Sequence, residues 1–313
     1  MNWKIKALFQ KILSISTLGD RINHIPATLN NKYHYNVTLY QTHECVRKFG
    51  YTTIDLSQEK TALEIGTGYS LISSVVLALL GFKKIITVDI TKDIRLSSVK
   101  KQLAYLNQQE ILDLISSKSI LSKQQLIAKI NELKKIETLK TLFNLLNIKY
   151  VSPYTFKDIL KEETRFNYIS SQVVLEHVSP KILNKLFQFT KKVLNEGDFS
   201  VHTINFIDHF ANPGFFQDQS ISEFNFLKYS NRCWQFWAGN SIAYTNRLSY
   251  LYYLDLIKKH DLKCINFIGE NYRTKKELDI NLIHPDVLKN YKSNININEL
   301  TKYQRGTLIL TNK

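Results

Sequence analysis

The chain has 313 residues, 44% of them hydrophobic and 12% aromatic, which is enough for a packed core and excludes a disordered chain. A net charge of +15 fits nucleic acid, an anionic membrane or an anionic substrate as partner, and the codon usage of an AT-rich genome explains the same Lys, Asn and Ile abundance. Cys45, Cys233 and Cys264 are too widely spaced for a metal cluster and indicate a reduced compartment.

Residues 1–16 have the pattern of an amphipathic helix. Apolar residues recur at helical spacing, namely Ile5, Leu8, Phe9, Ile12 and Leu13, and lysines occupy the opposite face. Two interpretations stay open: a basic helix on an anionic membrane, or a helix that packs on the domain. The lysines also argue against a signal peptide, and no apolar run reaches the roughly 20 residues of a membrane span. The expected location is the cytoplasm, with peripheral membrane contact under the first interpretation.

From residue 61 short apolar strands alternate with helices, which is typical of a mainly parallel α/β sheet. The predicted strands are 62–65, 85–88, 148–151, 168–171, 199–204, 264–268 and 307–311. The predicted helices between them include 70–80, 182–194 and 247–260, the second of which stops at Asn195, Glu196 and Gly197.

Two further segments are predicted to be helical. Residues 20–60 look like a cap, and the stretch from Thr91 to Asn147 contains neither glycine nor proline and is rich in Leu, Ile, Lys and Gln. We interpret the second as a helical hairpin or lid inserted between the second and third strands, at about 95–147. The predicted domains are a cap at 1–60 and a catalytic domain at 61–313, with a further insertion at about 205–246.

The first strand runs into Glu64-Ile65-Gly66-Thr67-Gly68, and the second ends in Asp89. Glycines after a strand let the backbone turn and let a ligand approach, the next helix offers free N–H groups to an anion, and an acid at the second strand end can accept ribose hydroxyls. A nicotinamide site would need a third glycine where Leu71 stands. The pattern resembles motif I of class I S-adenosylmethionine-dependent methyltransferases, with Ser70 replacing its usual third glycine.

This resemblance implies a Rossmann-like fold, with a seven-stranded mainly parallel sheet, helices on both faces, and S-adenosylmethionine as cofactor. The residues that it assigns to the cofactor are Glu64, Gly66, Thr67, Gly68, Tyr69, Asp89, Ile90, Ser171 and Gln172.

The fourth strand continues into Leu175-Glu176-His177-Val178, which resembles the fourth-strand motif of the same superfamily. There the strand end faces the transferred methyl group, so His177 is a candidate base, or else the segment only orders the loop. Ubiquinone-pathway enzymes resemble this segment but have a glutamate where Val173 stands, so we expect no metal. The Asp/Asn-Pro-Pro-Tyr sequence of amino-methylating nucleic-acid enzymes is also missing.

Several segments, most of them after the fifth strand, resemble bacterial methyltransferases of polysaccharide and surface-glycan genes. These are Asp208-His209-Phe210, Phe224-Asn225-Phe226-Leu227, Trp234 and Asn246-Arg247, together with residues 1–16 and Gly19-Asp20-Arg21. Rings such as Phe215, Phe216, Tyr229, Trp234 and Trp237 could stack on sugars or form a satellite core. We predict that Asp208 and His209 join His177 in catalysis and that Glu223, Trp234 and Arg247 bind the acceptor.

The predicted function is therefore methylation of a sugar or glycan-linked hydroxyl in polysaccharide biosynthesis. The alternatives are methylation of a lipid, a quinone or another small metabolite, methylation of RNA, and a non-catalytic binding protein. The sequence leaves the acceptor and the oligomeric state open.

Overall fold

The computed structural model of the chain describes residues 1–15, 32–155, 164–211, 217–272 and 275–312. Its strands are β1 (Thr61–Ile65), β2 (Lys84–Val88), β3 (Ile148–Val151), β4 (Phe166–Gln172), β5 (Leu194–Asn205), β6 (Leu262–Glu270) and β7 (Arg305–Asn312). They form one seven-stranded sheet in the order β3-β2-β1-β4-β5-β7-β6, and β1 pairs in parallel with both β2 and β4. The predicted α/β class and seven-stranded sheet are confirmed.

The sheet order reverses direction between β1 and β4, because β2 and β3 lie to one side of β1 and the later strands to the other. Such a reversal leaves a crevice at the carboxyl ends of the two central strands, where open α/β sheets bind their ligands. The loop after β1 and the segment after β4 were both predicted to carry function, and both begin at these strand ends.

Helices connect the strands. The longer ones are α1 (Trp3–Leu13), α2 (Tyr33–Phe49), α3 (Ile72–Leu80), α4 (Leu96–Leu103), α5 (Gln109–Ser116), α6 (Lys123–Leu133), α7 (Leu139–Leu146), α8 (Pro180–Val193), α9 (Asn231–Ala238) and α10 (Tyr250–Lys259). Helices α4 to α7 fill the predicted insertion between β2 and β3. They are four short helices rather than a hairpin, because Ser122 and Thr138 accept N–H bonds at new helix starts.

Two predicted boundaries differ from the structure. The turn predicted at Asn195, Glu196 and Gly197 lies inside β5, which already begins at Leu194. Gly197 has a φ of 76°, so the glycine bends the chain within the strand instead of ending α8 before it. Helix α10 begins at Tyr250, after Arg247, whose φ of 58° is incompatible with an α-helix.

The chain forms two compact units. Unit 1 comprises Met1–Ala27, Val173–Gln188 and Thr203–Leu308, and unit 2 comprises Thr28–Gln172, Phe189–His202 and Ile309–Lys313. The predicted cofactor residues therefore belong to unit 2, whereas the predicted catalytic and acceptor residues belong to unit 1. The domain boundary predicted at residue 60 stays a prediction. Among the described residues, no helix combines the length and the apolarity that a membrane crossing requires.

Helix α1 packs on the core of unit 1 through an unexpected face. Trp3 and Ala7 are buried, and the Trp3 ring lies 5.3 Å from the ring of Tyr229 and 5.9 Å from that of Trp234. The predicted apolar stripe is instead exposed, with Leu8 at 51% and Phe9 at 59%. The helix therefore packs on its unit, as one interpretation predicted, but leaves the stripe that suggested a membrane uncovered.

Candidate functional site

The loop after β1 is built on two glycines in unit 2. Gly66 and Gly68 have φ values of 84° and 60°, in the left-handed region that glycine adopts at little cost. The Gly66 N–H donates to the carbonyl of Val88 at 2.8 Å, which fastens the loop to the end of β2. A Cβ added to Gly68 would meet no atom within 4 Å, so this side of the loop is open to a ligand.

Asp89 lies beside this loop. Its Oδ2 accepts the Gly68 N–H at 2.7 Å and its Oδ1 accepts the Thr91 N–H at 3.0 Å, so the carboxylate holds a fixed orientation. Each carboxylate oxygen has further lone pairs, which leaves capacity to accept ribose hydroxyls. The spacing of Gly68 and Asp89 in the sequence thus corresponds to a direct contact, while their binding of a cofactor stays a prediction.

Glu64 lies buried near the end of β1, directly before this loop. The side chain is 5% exposed, and its Oε2 accepts hydrogen bonds from Ser74 on α3 and, at 3.3 Å, from Thr87 on β2. Burial raises the pKa of this carboxyl, and its hydroxyl partners and the nearby Lys48 oppose that shift. Glu64 therefore ties β1 to α3 and β2 at the strand end, and its part in cofactor binding stays a prediction.

The end of β4 carries Ser171 and Gln172. The Ser171 hydroxyl bonds Nδ1 of His202 at 2.8 Å, and its carbonyl accepts a bond from Nζ of Lys48 at 2.9 Å. Gln172 donates from Nε2 to the hydroxyl of Tyr40, while its buried Oε1 has no partner among the described atoms. An unsatisfied buried acceptor costs about 1–3 kcal/mol, so this oxygen is suited to receive a donor from a ligand.

Helix α2 supplies three residues of this network that the sequence reasoning missed. Gln172 Nε2 also donates to Oε2 of Glu44 at 2.9 Å, next to the contacts of Tyr40 and Lys48. These three α2 residues are spaced at i, i+4 and i+8, so they share one face of the helix. That spacing of polar groups was the available signal.

The other two predicted cofactor residues differ in exposure. Tyr69 is half-buried in the loop, and Ile90, directly after Asp89, is 77% exposed. An aliphatic side chain at such a strand end can cover one face of a flat ring, and burying it there is favourable. Both assignments stay predictions.

In unit 1 a single short turn at Leu175–His177 carries the side chains of Glu176 and His177. Asn246 fixes this turn, because its Nδ2 donates to the carbonyls of Leu175 and Val178 and its N–H donates to that of Glu176. Nδ1 of His177 lies 2.8 Å from the carbonyl oxygen of Tyr244, so Nδ1 carries the proton and Nε2 has the free lone pair.

His209 reaches the same place from the loop after β5. Its ring centroid lies 4.9 Å from that of His177, and one ligand atom each of Glu176, His177 and His209 lies within 4.8 Å of the others. Burial, with the nearby His177 and Lys6, lowers the pKa of His209 to about 3, and burial raises that of Glu176 to about 8. His209 is thus neutral at physiological pH, and the three side chains are of the types that hold a metal ion.

Asp208 is not exposed and holds the turn that carries His209. Its Oδ1 accepts the Phe210 N–H at 2.8 Å, and its Oδ2 accepts a bond from Asn225 at 3.3 Å. Burial raises the pKa of this carboxyl to about 7. A catalytic role for Asp208 stays a prediction, and its contacts are those of a positioning residue.

The three predicted acceptor residues are buried in unit 1. Glu223, Trp234 and Arg247 are 3%, 5% and 7% exposed, and Trp234 lies within the aromatic cluster around Trp3. The Arg247 guanidinium donates to the carbonyls of Phe226 and Tyr229 and to the side chain of Asn231. These side chains support the loops, as a satellite core would, and their direct contact with an acceptor stays a prediction. Phe215 and Phe216 lie outside the described residues.

A surface cleft of about 690 Å³ opens elsewhere in unit 2, between α2 and α5. Its lining residues are Asn36, Leu39, Tyr40, His43, Glu110, Asp113, Leu114 and Ser117. Apart from Tyr40, which bonds Gln172, none of these belongs to the contacts described above. We therefore place the candidate chemistry at the strand ends and not in this cleft.

No protein-family model and no curated protein matches the chain. Similar solved structures include a cyclopropane-fatty-acyl-phospholipid synthase-like protein from Lactobacillus casei, at 11% identity and a TM-score of 0.45 over 88% of this chain and 90% of that one. PKMT2 from Rickettsia typhi, in complex with AdoHcy, is 12% identical at a TM-score of 0.43 over 87% of this chain and 52% of that one. Geranyl diphosphate methyltransferase, in complex with SAM, is 10% identical at a TM-score of 0.43 over 91% and 92%.

Proposed function

We propose that the chain is an S-adenosylmethionine-dependent methyltransferase of the general class EC 2.1.1.-. The observation that carries this proposal is the contact between the Gly68 N–H and Asp89 at the carboxyl ends of β1 and β2. In this arrangement Asp89 accepts the ribose hydroxyls, and the N–H groups at the start of α3, which has no side-chain cap, receive the methionine carboxylate. In this proposal one wall of the cofactor site is formed by the loop residues Gly66, Thr67, Gly68 and Tyr69. The side chain of Ile90 covers the adenine ring.

The acceptor in this proposal is a hydroxyl of a sugar or of a glycan-linked group, as in the biosynthesis of a polysaccharide in the cytoplasm. Support comes from the order of segments between residues 202 and 247, which resembles methyltransferases of glycan genes, and from the neutral imidazoles of His177 and His209. Glu223, Trp234 and Arg247 shape the loops that meet the acceptor. RNA is a weaker candidate, since the sequence contains no dense Arg/Lys run of the kind that tracks a nucleic-acid backbone.

The reaction is an in-line displacement at the sulfonium methyl group. Alignment of donor and acceptor lowers the barrier by roughly 7–11 kcal/mol at best. A hydroxyl is a weak nucleophile, so its proton must leave as the new bond to carbon forms. His209 or His177 accepts that proton in this proposal, and Asp208 positions His209.

We expect His209→Ala to lower turnover by about 100-fold or more while leaving the affinity for S-adenosylmethionine intact, because the imidazole acts on the acceptor and not on the donor. The measurement is methyl transfer to nucleotide sugars and glycan fragments, with donor binding followed by calorimetry. The control is His43→Ala, an exposed histidine on α2. Unchanged turnover in His209→Ala would exclude its part in proton removal.

A second candidate function is methylation of a lipid acceptor at a membrane. The stripe of Ile5, Leu8, Phe9 and Ile12 on α1 is 51–59% exposed, although the helix is anchored by Trp3 on its other side. Neither α1 nor the neighbouring α9 contains an acidic residue, and both carry basic ones. An exposed apolar helix face that is flanked by basic side chains is suited to binding at the surface of an anionic membrane.

We expect the double variant Leu8→Gln/Phe9→Gln to bind anionic vesicles at least about tenfold more weakly, because it removes two side chains that would enter the bilayer at about 1.5–3 kcal/mol each when fully buried. The measurement is co-sedimentation with vesicles of phosphatidylserine and phosphatidylcholine. The matched control is Ile182→Gln, an exposed apolar residue on α8. Equal sedimentation of the wild type and the double variant would contradict a membrane role for α1.

A further inference from the structure

The side chains of Glu176, His177 and His209 bring two imidazoles and one carboxylate to a single point. The ligand atoms of all three lie within 4.8 Å of one another. Two histidines and one acid on one side of a site are the ligands that catalytic zinc and non-haem iron take, with further coordination positions left open.

Two of these side chains have buried atoms that lack a partner. Glu176 is 3% exposed; its Oε1 is 3.4 Å from the Asn205 N–H, and its Oε2 has no hydrogen-bond partner among the described atoms. His209 Nε2 is buried and is without a partner in the same sense. Leaving buried polar atoms unsatisfied is unfavourable, so the convergence of these two indicates a bound species that satisfies both.

The third side chain is oriented in the way that metal ligands require. His177 donates its Nδ1–H to the carbonyl of Tyr244 at 2.8 Å, which leaves Nε2 deprotonated. A backbone carbonyl behind a ligating imidazole is a common outer contact of metal sites, because it fixes both the tautomer and the ring. Asn246 holds the turn that carries Glu176 and His177 through the carbonyls of Leu175 and Val178, so these two side chains are positioned by the protein itself.

We propose that Glu176, His177 and His209 bind one divalent transition-metal cation, of the class of Zn²⁺, Mn²⁺ or Fe²⁺. No metal is expected from the sequence, because Val173 stands where ubiquinone-pathway enzymes have an additional glutamate. His209 supplies the missing ligand from a loop that is distant in sequence.

The role of the cation in catalysis rests on the proposed function. An acceptor hydroxyl bound at an open coordination position becomes more acidic. The acceptor oxygen then forms a bond to the methyl carbon as the carbon–sulfur bond breaks, the hydroxyl proton passes to solvent, and the products are a methyl ether and S-adenosylhomocysteine. In this form of the reaction the imidazoles hold the cation, and the charge of the cation replaces a side-chain base.

Calorimetric titration of the chelator-treated full chain with ZnCl₂ or MnCl₂, together with elemental analysis, tests the site. We expect about one equivalent of tightly bound cation per chain, and roughly 100-fold weaker binding for His209→Ala and for Glu176→Gln. The matched control is His43→Ala, since His43 and Glu44 form another histidine–glutamate pair at 3.3 Å. His177→Asn serves as a further variant if one of the others fails to fold, as judged by circular dichroism.

The outcomes separate the two proposals. Absence of stoichiometric binding, or equal affinity in wild type and His209→Ala, overturns the cation site whatever the activity. Cation binding that leaves turnover unchanged after chelation keeps the site but overturns its catalytic role. Failure to bind S-adenosylmethionine, measured without any metal, overturns the proposed function and leaves the cation site standing.

Discussion

Asp89→Ala is expected to weaken the binding of S-adenosylmethionine by about 100-fold or more. Under the proposed function the variant loses charge-assisted hydrogen bonds to two ribose hydroxyls, each of which contributes about 1.5–3 kcal/mol, and 1.4 kcal/mol corresponds to a factor of ten. It also removes the acceptor of the Gly68 N–H, so the loop loses the contact that holds it beside β2. Under the proposed function both effects act on the binding of the methyl donor and not on that of the acceptor.

Two controls make this result specific. Asp93→Ala removes a half-buried carboxylate from the segment that follows β2, and should leave the dissociation constant unchanged. Asp89→Asn keeps an oxygen for the Gly68 or Thr91 N–H but loses the negative charge, and should fall between the wild type and Asp89→Ala. Isothermal titration with S-adenosylmethionine measures all four proteins. The same dissociation constant for Asp89→Ala and the wild type would contradict the cofactor assignment.

The loop after β1 could be predicted from the sequence because a recognisable residue pattern defines its contacts. A strand, two glycines and an acidic residue at the next strand end define positions that a parallel sheet brings together, and the contact of Gly68 with Asp89 follows from that register. The strands were predicted well for the same reason, since buried parallel strands are short apolar runs. The misplaced turn at Gly197 shows the limit: a glycine with a positive φ can bend a strand as well as end a helix.

The histidine cluster could be predicted only in part. Each histidine was a candidate, but nothing in the spacing of His177 and His209 shows that their rings meet, because they come from different loops.

The buried face of α1 is a second feature that was not predicted from the sequence. Periodicity identified the stripe of Leu8 and Phe9, yet the large ring of Trp3 decided which side was buried. Tertiary packing overrides the helical pattern wherever two faces compete for the core.

The buried polar side chains of α2 are a third feature that was not predicted from the sequence. Replacing one of them, Lys48, has the largest expected effect on stability. Lys48 is 3% exposed, and its Nζ donates to the carbonyl of Ser171 at 2.9 Å. Burial lowers the pKa of Lys48, while the carboxylates of Glu64 and Glu44 oppose that shift. The positive charge in turn opposes the rise that burial causes in the pKa of Glu64. The cation and the two acids therefore depend on one another.

Lys48→Met is expected to lower the free energy of unfolding by about 3–5 kcal/mol, the usual result of removing one partner from a buried group of charges. The apolar replacement leaves Glu64 with less compensation, and the carbonyl of Ser171 loses its donor. Urea denaturation, together with hydrogen exchange of the β4 amides, measures the loss. Lys100→Met on the exposed side of α4 is the control, and a loss there should stay within about 0.5 kcal/mol.

The dependence of this loss on pH separates a charge effect from a packing effect. Without Lys48 the folded-state pKa of Glu64 rises further above its unfolded value, so the folded state binds a proton more tightly than the unfolded chain does. Stability contributed by such a group is present in acid and is lost as the pH rises through the folded pKa. The deficit of Lys48→Met relative to the wild type should therefore be smaller at acidic pH than at neutral pH. A deficit that is the same at both would assign the loss to packing and to the Ser171 hydrogen bond alone.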